Sequence, residues 1–477
     1  MKKIKVKAET PEMKAKRKVG EAKQLKKWER EAKKPKGLHY VAYILVILAM
    51  VQAIDEITSA INTQMQSEIA IGLFADRMSI MQLLSALTMP LLVCSIFYKA
   101  LSDRYGRKIF LCINTLGMGT GLFIIFLAGK IGSISGIAMY ILAFGMINFF
   151  ITNDTQVLYI METAAPKKRA TTFAIIKSLG MFSVMLIPIM RTVFMGGDVT
   201  RWNYVYLGPG VVAIAIAVIC FFFARESDVF LNDRITYLKM SDEERETKAR
   251  DEGRKADEMK SQGGVGKAFQ FAFSHKQLRW IFIAIVTFGL AAFGTSYYQK
   301  IADVYYSTEA VTAMLMTYPV ASALVTLVNG FIGDKFGRKK TVVIMTALAF
   351  IGFTLFFVGC NFSWNPYAVG LAIGCYIGAY YGACDINTIM VGESTPTNLR
   401  ASMMSVCTIL NMVSKMLAML VPTFALLATR DNYSILGWIC VLGVVPLMGI
   451  SLIILAFKVG DTTGMDLNQV TGMEWEK

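Results

Sequence analysis

Long apolar runs alternate with short charged gaps along this chain. Twelve runs lie near 40–62, 77–98, 109–129, 134–161, 170–193, 203–224, 278–298, 309–333, 341–360, 366–391, 401–428 and 434–457. Each is long enough to cross about 30 Å of hydrocarbon as a helix. Pro90, Pro188, Pro319 and Pro422 interrupt some of them. Spanning helices tolerate such breaks because neighbouring helices satisfy the freed backbone groups. The pattern predicts an all-α integral membrane protein with 12 transmembrane helices.

The gaps repeat. Leu101-Ser102-Asp103-Arg104-Tyr105-Gly106-Arg107-Lys108 returns as Ile332-Gly333-Asp334-Lys335-Phe336-Gly337-Arg338-Lys339, 231 residues later. Asp154, Glu162 and Arg169 return at the same offset as Asp385, Glu393 and Arg400. An internal repeat of this length predicts two pseudo-symmetric six-helix bundles. The expected boundaries are 39–224 and 278–457 for the bundles, 225–277 for a helical linker, and 1–38 and 458–477 for the tails.

Composition agrees with the pattern: 55% of the residues are hydrophobic and mean hydropathy is +0.49. Charge then sets orientation. The gaps after the second, fourth and eighth runs hold eleven Lys and Arg, among them Arg104, Arg107, Lys167, Arg169, Lys335 and Arg338. The gaps after the third, ninth and eleventh hold only Lys130 and Arg430. Positive loops stay inside, so both termini are expected in the cytoplasm and the chain in the cell membrane. The first 38 residues carry 15 Lys and Arg against 5 Asp and Glu, and are expected to be helical around Glu21 to Lys34. This tail suits a topology signal and a hold on anionic lipid rather than nucleic acid. It shows no cleavable signal-peptide pattern. Within the linker, Ser241 to Ser261 reads as a solvated helix with favourable Glu244–Lys248 and Asp251–Lys255 pairs. All eight cysteines fall within apolar runs without metal-type spacing. No nucleophile–base pair, phosphate loop or metal cluster suggests an enzyme, and neither a cofactor nor a metal is expected.

The repeated gap resembles the signature of the major facilitator superfamily, roughly G-x-L-[AS]-D-[RK]-x-G-R-[RK]. Lys99 replaces the leading Gly in the first copy, and Gly333 takes the small-residue slot in the second. In that superfamily such groups pair when the inner side is shut and part when it opens. The resemblance therefore implies an inner gate of Asp103, Arg107, Glu162, Arg169, Asp334, Arg338, Glu393 and Arg400. It also implies a monomer that binds a small-molecule substrate between its bundles, with a proton gradient as the energy source.

Charges inside the apolar runs are the candidate chemistry, because each costs several kcal/mol at bilayer depth unless paired or wet. Gln52, Asp55, Ser59 and Asn62 form a polar stripe on the first helix, and Glu56 points about 100° away from Asp55. Asp55, Glu56 and Asp154 are the expected proton carriers, since opening toward one side or the other changes a carboxylate's solvation and neighbours. Gln52, Ser59, Gln156, Lys177, Gln299, Asp385, Asn387, Asn411 and Lys415 are the expected substrate-binding residues. The acids and lysines could equally pair with one another to hold the helices together.

Several stretches resemble the sugar porters. Tyr159-Ile160-Met161-Glu162-Thr163-Ala164-Ala165-Pro166-Lys167-Lys168-Arg169 is similar to their helix 4–5 signature. Arg225-Glu226-Ser227, Val304-Tyr305-Tyr306-Ser307-Thr308 and Asp461-Thr462-Thr463-Gly464 resemble segments after helices 6, 7 and 12, and Asp55 falls where those proteins keep a helix 1 Asp. Lys177 replaces a sugar-binding Gln, Thr295-Ser296 a Gln pair, and Leu142 an Arg. Lysine for an amide favours an acidic solute over a hexose.

The expected function is a proton-coupled symporter importing a small polar solute, sugar-like or a carboxylate such as a sugar acid. Proton-driven efflux of a drug or metabolite and a nutrient-sensing transceptor are the alternatives.

Overall fold

The structure is a computed structural model. It describes residues 11–33, 40–88, 105–152, 155–163, 169–245, 247, 265–395 and 400–462, with positions 91, 94, 98 and 101 between them. Among the described residues, eleven helices are long and apolar enough to cross a membrane, or twelve if one bent pair forms a single span. They fall on the twelve apolar runs. Most of the second run, from position 89 onward, lies outside the described residues.

The first helix outlasts its apolar run. Tyr40–Gln64 is interrupted at Met65 and continues as Gln66–Phe74. Gln64, Gln66, Ser67 and Glu68 look like a loop in the sequence, yet all four are buried. Arg191 takes the Gln64 carbonyl, Gln299 takes the Gln66 amide and Glu68, and Ser67 bonds to Asp303. Ala75 and Asp76 then take left-handed φ values of 50° and 59°, and the chain turns by 97° into Met78–Ala86.

Other spans bend at identifiable points. The seventh breaks into Lys276–Leu290 and Phe293–Tyr305, and the carbonyl of Ala291 in the break accepts from Tyr376 Oη at 3.0 Å. A neighbouring helix thus satisfies a group that lipid could not. The fifth runs Arg169–Ser183, Leu186–Met190 and then a π-turn, Arg191–Met195.

The two halves meet where the fifth span packs on the eighth, Thr308–Phe336, and where Met78–Ala86 packs on Arg400–Ala428. Within the second half, Gly370, Gly374 and Gly378 of Pro366–Glu393 lie against the backbone carbonyls of Met314, Tyr318 and Ser322. Small residues at i, i+4 and i+8 allow this backbone contact, which supplies packing where lipid gives no hydrophobic drive.

The basic tail is docked rather than loose. Pro11–Ala32 is helical, and its Trp28 packs with Phe230, Leu231 and Leu238 beside the helix Asp228–Lys239. Glu29 pairs with Lys239 at 2.9 Å and Glu21 with Arg245 at 2.7 Å. The linker's helical middle is described only as far as residue 247. Its Lys248, Asp251 and Lys255 lie outside the described residues.

The Gly374→Ala variant is expected to lose about 1–3 kcal/mol of stability, because its Cβ would collide with the Tyr318 carbonyl. Gly443→Ala, where a Cβ meets nothing within 4 Å, is expected to unfold within a degree or two of the parent, roughly. Thermal unfolding in detergent compares the two.

Candidate functional site

Three polar zones follow one another along the bundle axis: the repeated hairpins at the motif end, a cavity in the middle, and a seam at the far end.

At the motif end, Gly106 and Gly337 take φ values of 109° and 87°, and each starts a helix, Arg107–Ile131 or Arg338–Asn361. The orphan amides of both helices meet a carboxylate supplied from just beyond the last span of the same half. Glu226 accepts from the amides of Arg107 at 2.7 Å and Lys108 at 3.2 Å. Asp461 accepts from the amide of Lys339 at 3.2 Å. A negative group at a helix N-terminus is stabilised by the amides and the helix dipole together. Burial nonetheless pushes the Glu226 carboxyl above its ordinary range, against the pull of its backbone donors and Arg107.

Of the expected inner gate, Arg338 Nε donates to Glu393 at 3.3 Å, and Glu393 also accepts from Thr462 Oγ1 at 2.5 Å. This cluster lies within the second half. Arg107 sits at its expected helix start, beside Glu226. Asp103 lies outside the described residues, as do the side chains of Glu162, Arg169, Asp334 and Arg400.

The middle zone is a cavity of about 260 Å³. The first helix contributes Asp55, Glu56, Ser59, Ala60 and Thr63, the fifth Lys177 and Met181, and the fourth Ile151. The second half closes it with Thr295, Tyr298, Tyr318, Ile377 and Tyr381. Asp55 and Glu56 are 8% and 9% exposed, so both carboxyls sit in protein rather than bulk water. Gln52 stands behind them and donates to Glu56 Oε1 at 3.0 Å, while Ser59 Oγ donates to the Glu56 carbonyl at 2.9 Å. Lys177 Nζ lies 3.1 Å from Asp385 Oδ2, joining the fifth and tenth spans across the two halves.

The cavity gathers Asp55, Glu56, Ser59 and Lys177 from the expected set, with Gln52 and Asp385 one contact away. Gln156, Asn387, Asn411 and Lys415 do not line it. Gln156 and Asn387 are buried, Asn411 lies 3.6 Å from Cys407 Sγ, and Lys415 lies 5.9 Å from the Tyr381 ring centre. Asp154 lies outside the described residues. Gln299 does not line the cavity either. It faces the far end, because both ends of its amide are used there.

That far-end zone is a polar seam across the halves. Glu68, 3% exposed, pairs with Arg191 at 2.5 Å, and Arg191, 2% exposed, also donates to the Gln64 carbonyl at 2.7 Å. Gln299 reaches over from the seventh span, donating to Glu68 at 2.9 Å and accepting from the Gln66 amide at 2.8 Å. Gln66 donates to the Ser296 carbonyl at 2.6 Å, and Ser67 bonds to Asp303. Farther out, Asp431 accepts from the amide and hydroxyl of Ser79, both at 2.9 Å. Tyr433 donates to the Asp76 carbonyl at 2.7 Å, and Lys300 lies 3.7 Å from the Asp76 carboxylate.

Sequence reasoning missed this seam and the three tyrosines. Glu68, Asp76 and Asp431 read as ordinary charges in gaps, and nothing in one half's sequence shows what it meets in the other. Arg191 was the available signal, an ionisable residue inside the fifth apolar run.

The family model of the Major Facilitator Superfamily matches residues 37–419. No curated protein matches the chain in sequence. Among solved structures, the inward-open xylose transporter XylE from E. coli is 15% identical, with 92% of this chain and 100% of that chain covered at a TM-score of 0.62. A D-xylose–proton symporter is 14% identical, with 89% and 99% covered at 0.61. An inward-facing bacterial homologue of the human lysosomal transporter Spinster is 14% identical, with 89% and 96% covered at 0.55. At such identities the likeness is one of fold, and the match over most of the chain supplies the family: this protein belongs to the major facilitator superfamily and is a multi-pass membrane transporter.

Proposed function

We propose that this transporter is a proton-coupled symporter that takes up a small polar solute by alternating access, with Asp55 and Glu56 as the groups that exchange protons. The observation that carries the reading is the cavity itself. Two neighbouring carboxyls line one cavity between the halves. Burial raises the cost of their charge, water or a cation lowers it, and rocking the halves changes which of these each carboxyl meets. A proton gradient then supplies the work. The xylose–proton symporter among the similar folds supports the same coupling.

The seam gives the cycle its closed gate at one end. Gln299, Gln66, Ser67 and Asp303 make their bonds only when the halves are pressed together there, so opening that end must hydrate those groups. The Arg338–Glu393 cluster and the capped hairpins tie each half together internally at the motif end. That end faces the cytoplasm by the charge of its loops, and the working unit is a monomer in the cell membrane. The solute is sugar-like in size. The lysine-based case for a carboxylate loses its carrier, because Lys177 is engaged by Asp385.

Asp55→Asn is expected to abolish pH-driven accumulation in proteoliposomes while keeping counterflow exchange. Full accumulation by that variant would contradict the role of Asp55. Arg191→Met leaves Glu68 buried without its cation, a loss on the order of 3–5 kcal/mol from the closed arrangement. In a Thr63→Cys background, an impermeant maleimide added from the far side is expected to label the cavity at least about tenfold faster in that variant. An unchanged rate would show that the seam does not hold the far end shut.

A further inference from the structure

The far-end seam holds one carboxyl whose partner is a neutral hydroxyl. Asp303, on the Phe293–Tyr305 part of the seventh span, is partly buried and bonds to Ser67 Oγ of the first half. Among the described residues it forms no ion pair. The charged groups around it are Glu68 from the end of the first helix, Arg191 from the fifth span and Lys300 from its own helix. Each of these has a closer partner. Glu68 and Arg191 pair at 2.5 Å, and Lys300 lies 3.7 Å from Asp76 and 3.8 Å from the centre of the Tyr433 ring. On the outer side, Asp303 and Lys300 share with Asp431 and Tyr433 the wall of a cavity of about 430 Å³. Asp303 thus stands between the seam and the far-side solution.

Closing the seam changes what Asp303 meets. It brings up Ser67 together with the Glu68–Arg191 pair, which is neutral as a unit and adds little net attraction. It brings up Asp76, which draws on the charge of Lys300. It also takes water from one face of the carboxyl. The ionised carboxylate therefore costs more with the seam closed than with it open. A proton removes that cost. The carboxylic acid keeps its bond, because the Ser67 hydroxyl accepts from it as readily as it donates to the carboxylate. A proton held more tightly in the closed form favours that form as pH falls.

We propose that Asp303 is a proton-operated latch on the far end: a proton from the far-side solution reaches its carboxyl through the outer cavity and holds the seam closed. The proposal rests on the alternating-access reading above and adds to it a second proton site, separate from Asp55 and Glu56. Asp303 lines the outer cavity and not the central one. Its proton comes and goes on the far side, so it gates the cycle and is not carried across. Hydronium in the outer cavity gives up the proton, one carboxylate oxygen takes it, and opening of the seam returns it to the same water.

The test follows the far end of the full-length protein in nanodiscs, with spin labels at Ile134 and Phe362, whose side chains are exposed. Double electron–electron resonance gives the ratio of short to long distances at each pH. In the parent that ratio is expected to rise about threefold or more between roughly pH 8.5 and pH 5. Asp303→Asn, which cannot ionise, is expected to stay short throughout. Asp55→Asn and Glu56→Gln should each keep the response of the parent, since those carboxyls line the central cavity. Asp303→Ser, also uncharged, replaces Asp303→Asn if that variant does not fold.

The proposal is overturned if Asp303→Asn follows pH as the parent does, if the parent's ratio is flat over this range, or if it falls where it should rise. A response flattened by Asp55→Asn or Glu56→Gln alone would assign the proton to the central cavity and overturn it too. Labels at Tyr105 and Phe336 separate these failures from failure of the reading beneath. If that pair lengthens as the far end shortens while Asp303→Asn still follows pH, the halves rock and only the latch is lost. If neither pair moves at any pH in parent or variants, alternating access falls with it.

Discussion

A buried charge in a membrane protein must be answered by another group or by water, and this requirement shapes the far end of the molecule. Arg191 and Glu68 are both nearly inaccessible and lie 2.5 Å apart. They belong to the same half, so their pairing alone would not join the bundles. Gln299 makes the join, because its amide satisfies Glu68 on one side and the Gln66 backbone on the other. The net stability of such a cluster is small, since desolvation offsets most of the attraction. Its specificity is large, since any separation leaves several groups unsatisfied at once. A contact with those two properties suits a gate that must close fully and still reopen.

The outer rim repeats the idea nearer the surface. Ala75–Asp76 from the first half and Arg430–Asp431 from the second are both left-handed turns at helix ends. Asp tolerates that conformation better than most residues. Asp76 receives Tyr433 and Lys300, and Asp431 receives Ser79, so each turn places its carboxylate where the opposite half supplies donors. Asp76 is exposed, whereas Ser79 and Lys300 are buried, so these contacts sit at the boundary between water and protein. They align the rim over the buried cluster. The opposite end uses its charges differently, with Glu226 and Asp461 capping helices of their own halves. Each bundle is thereby stiffened as a body without being fastened to the other by those caps.

The sequence made the repeat and the twelve spans legible because both depend on local rules: apolar length, glycine in a tight turn, positive loops. It also made Asp55, Glu56 and Lys177 legible, because ionisable residues in apolar runs need a reason. What it could not show was which polar groups meet. Gln299 read as a substrate amide and is used up in the seam. Lys177 read either as a partner for an acid or as an anion receptor, and Asp385 answers it. The end of the first helix fell outside its apolar run, because Gln64, Gln66, Ser67 and Glu68 are polar, and it is helical with partners on the fifth and seventh spans. The tail read as loosely held, and Trp28 with the Phe230 cluster anchors it to the linker. In every case the missing information was a contact between segments far apart in the chain.

Two distances report most directly on whether the halves move as bodies. Spin labels at Ile134 and Phe362 would span the far end, and labels at Tyr105 and Phe336 the motif end; all four side chains are exposed. Double electron–electron resonance in nanodiscs, over a range of pH and added solutes, is expected to show the two distances changing in opposite senses, one lengthening as the other shortens. Distributions that stay fixed at both ends, or lengthen together, would contradict alternating access about the central cavity.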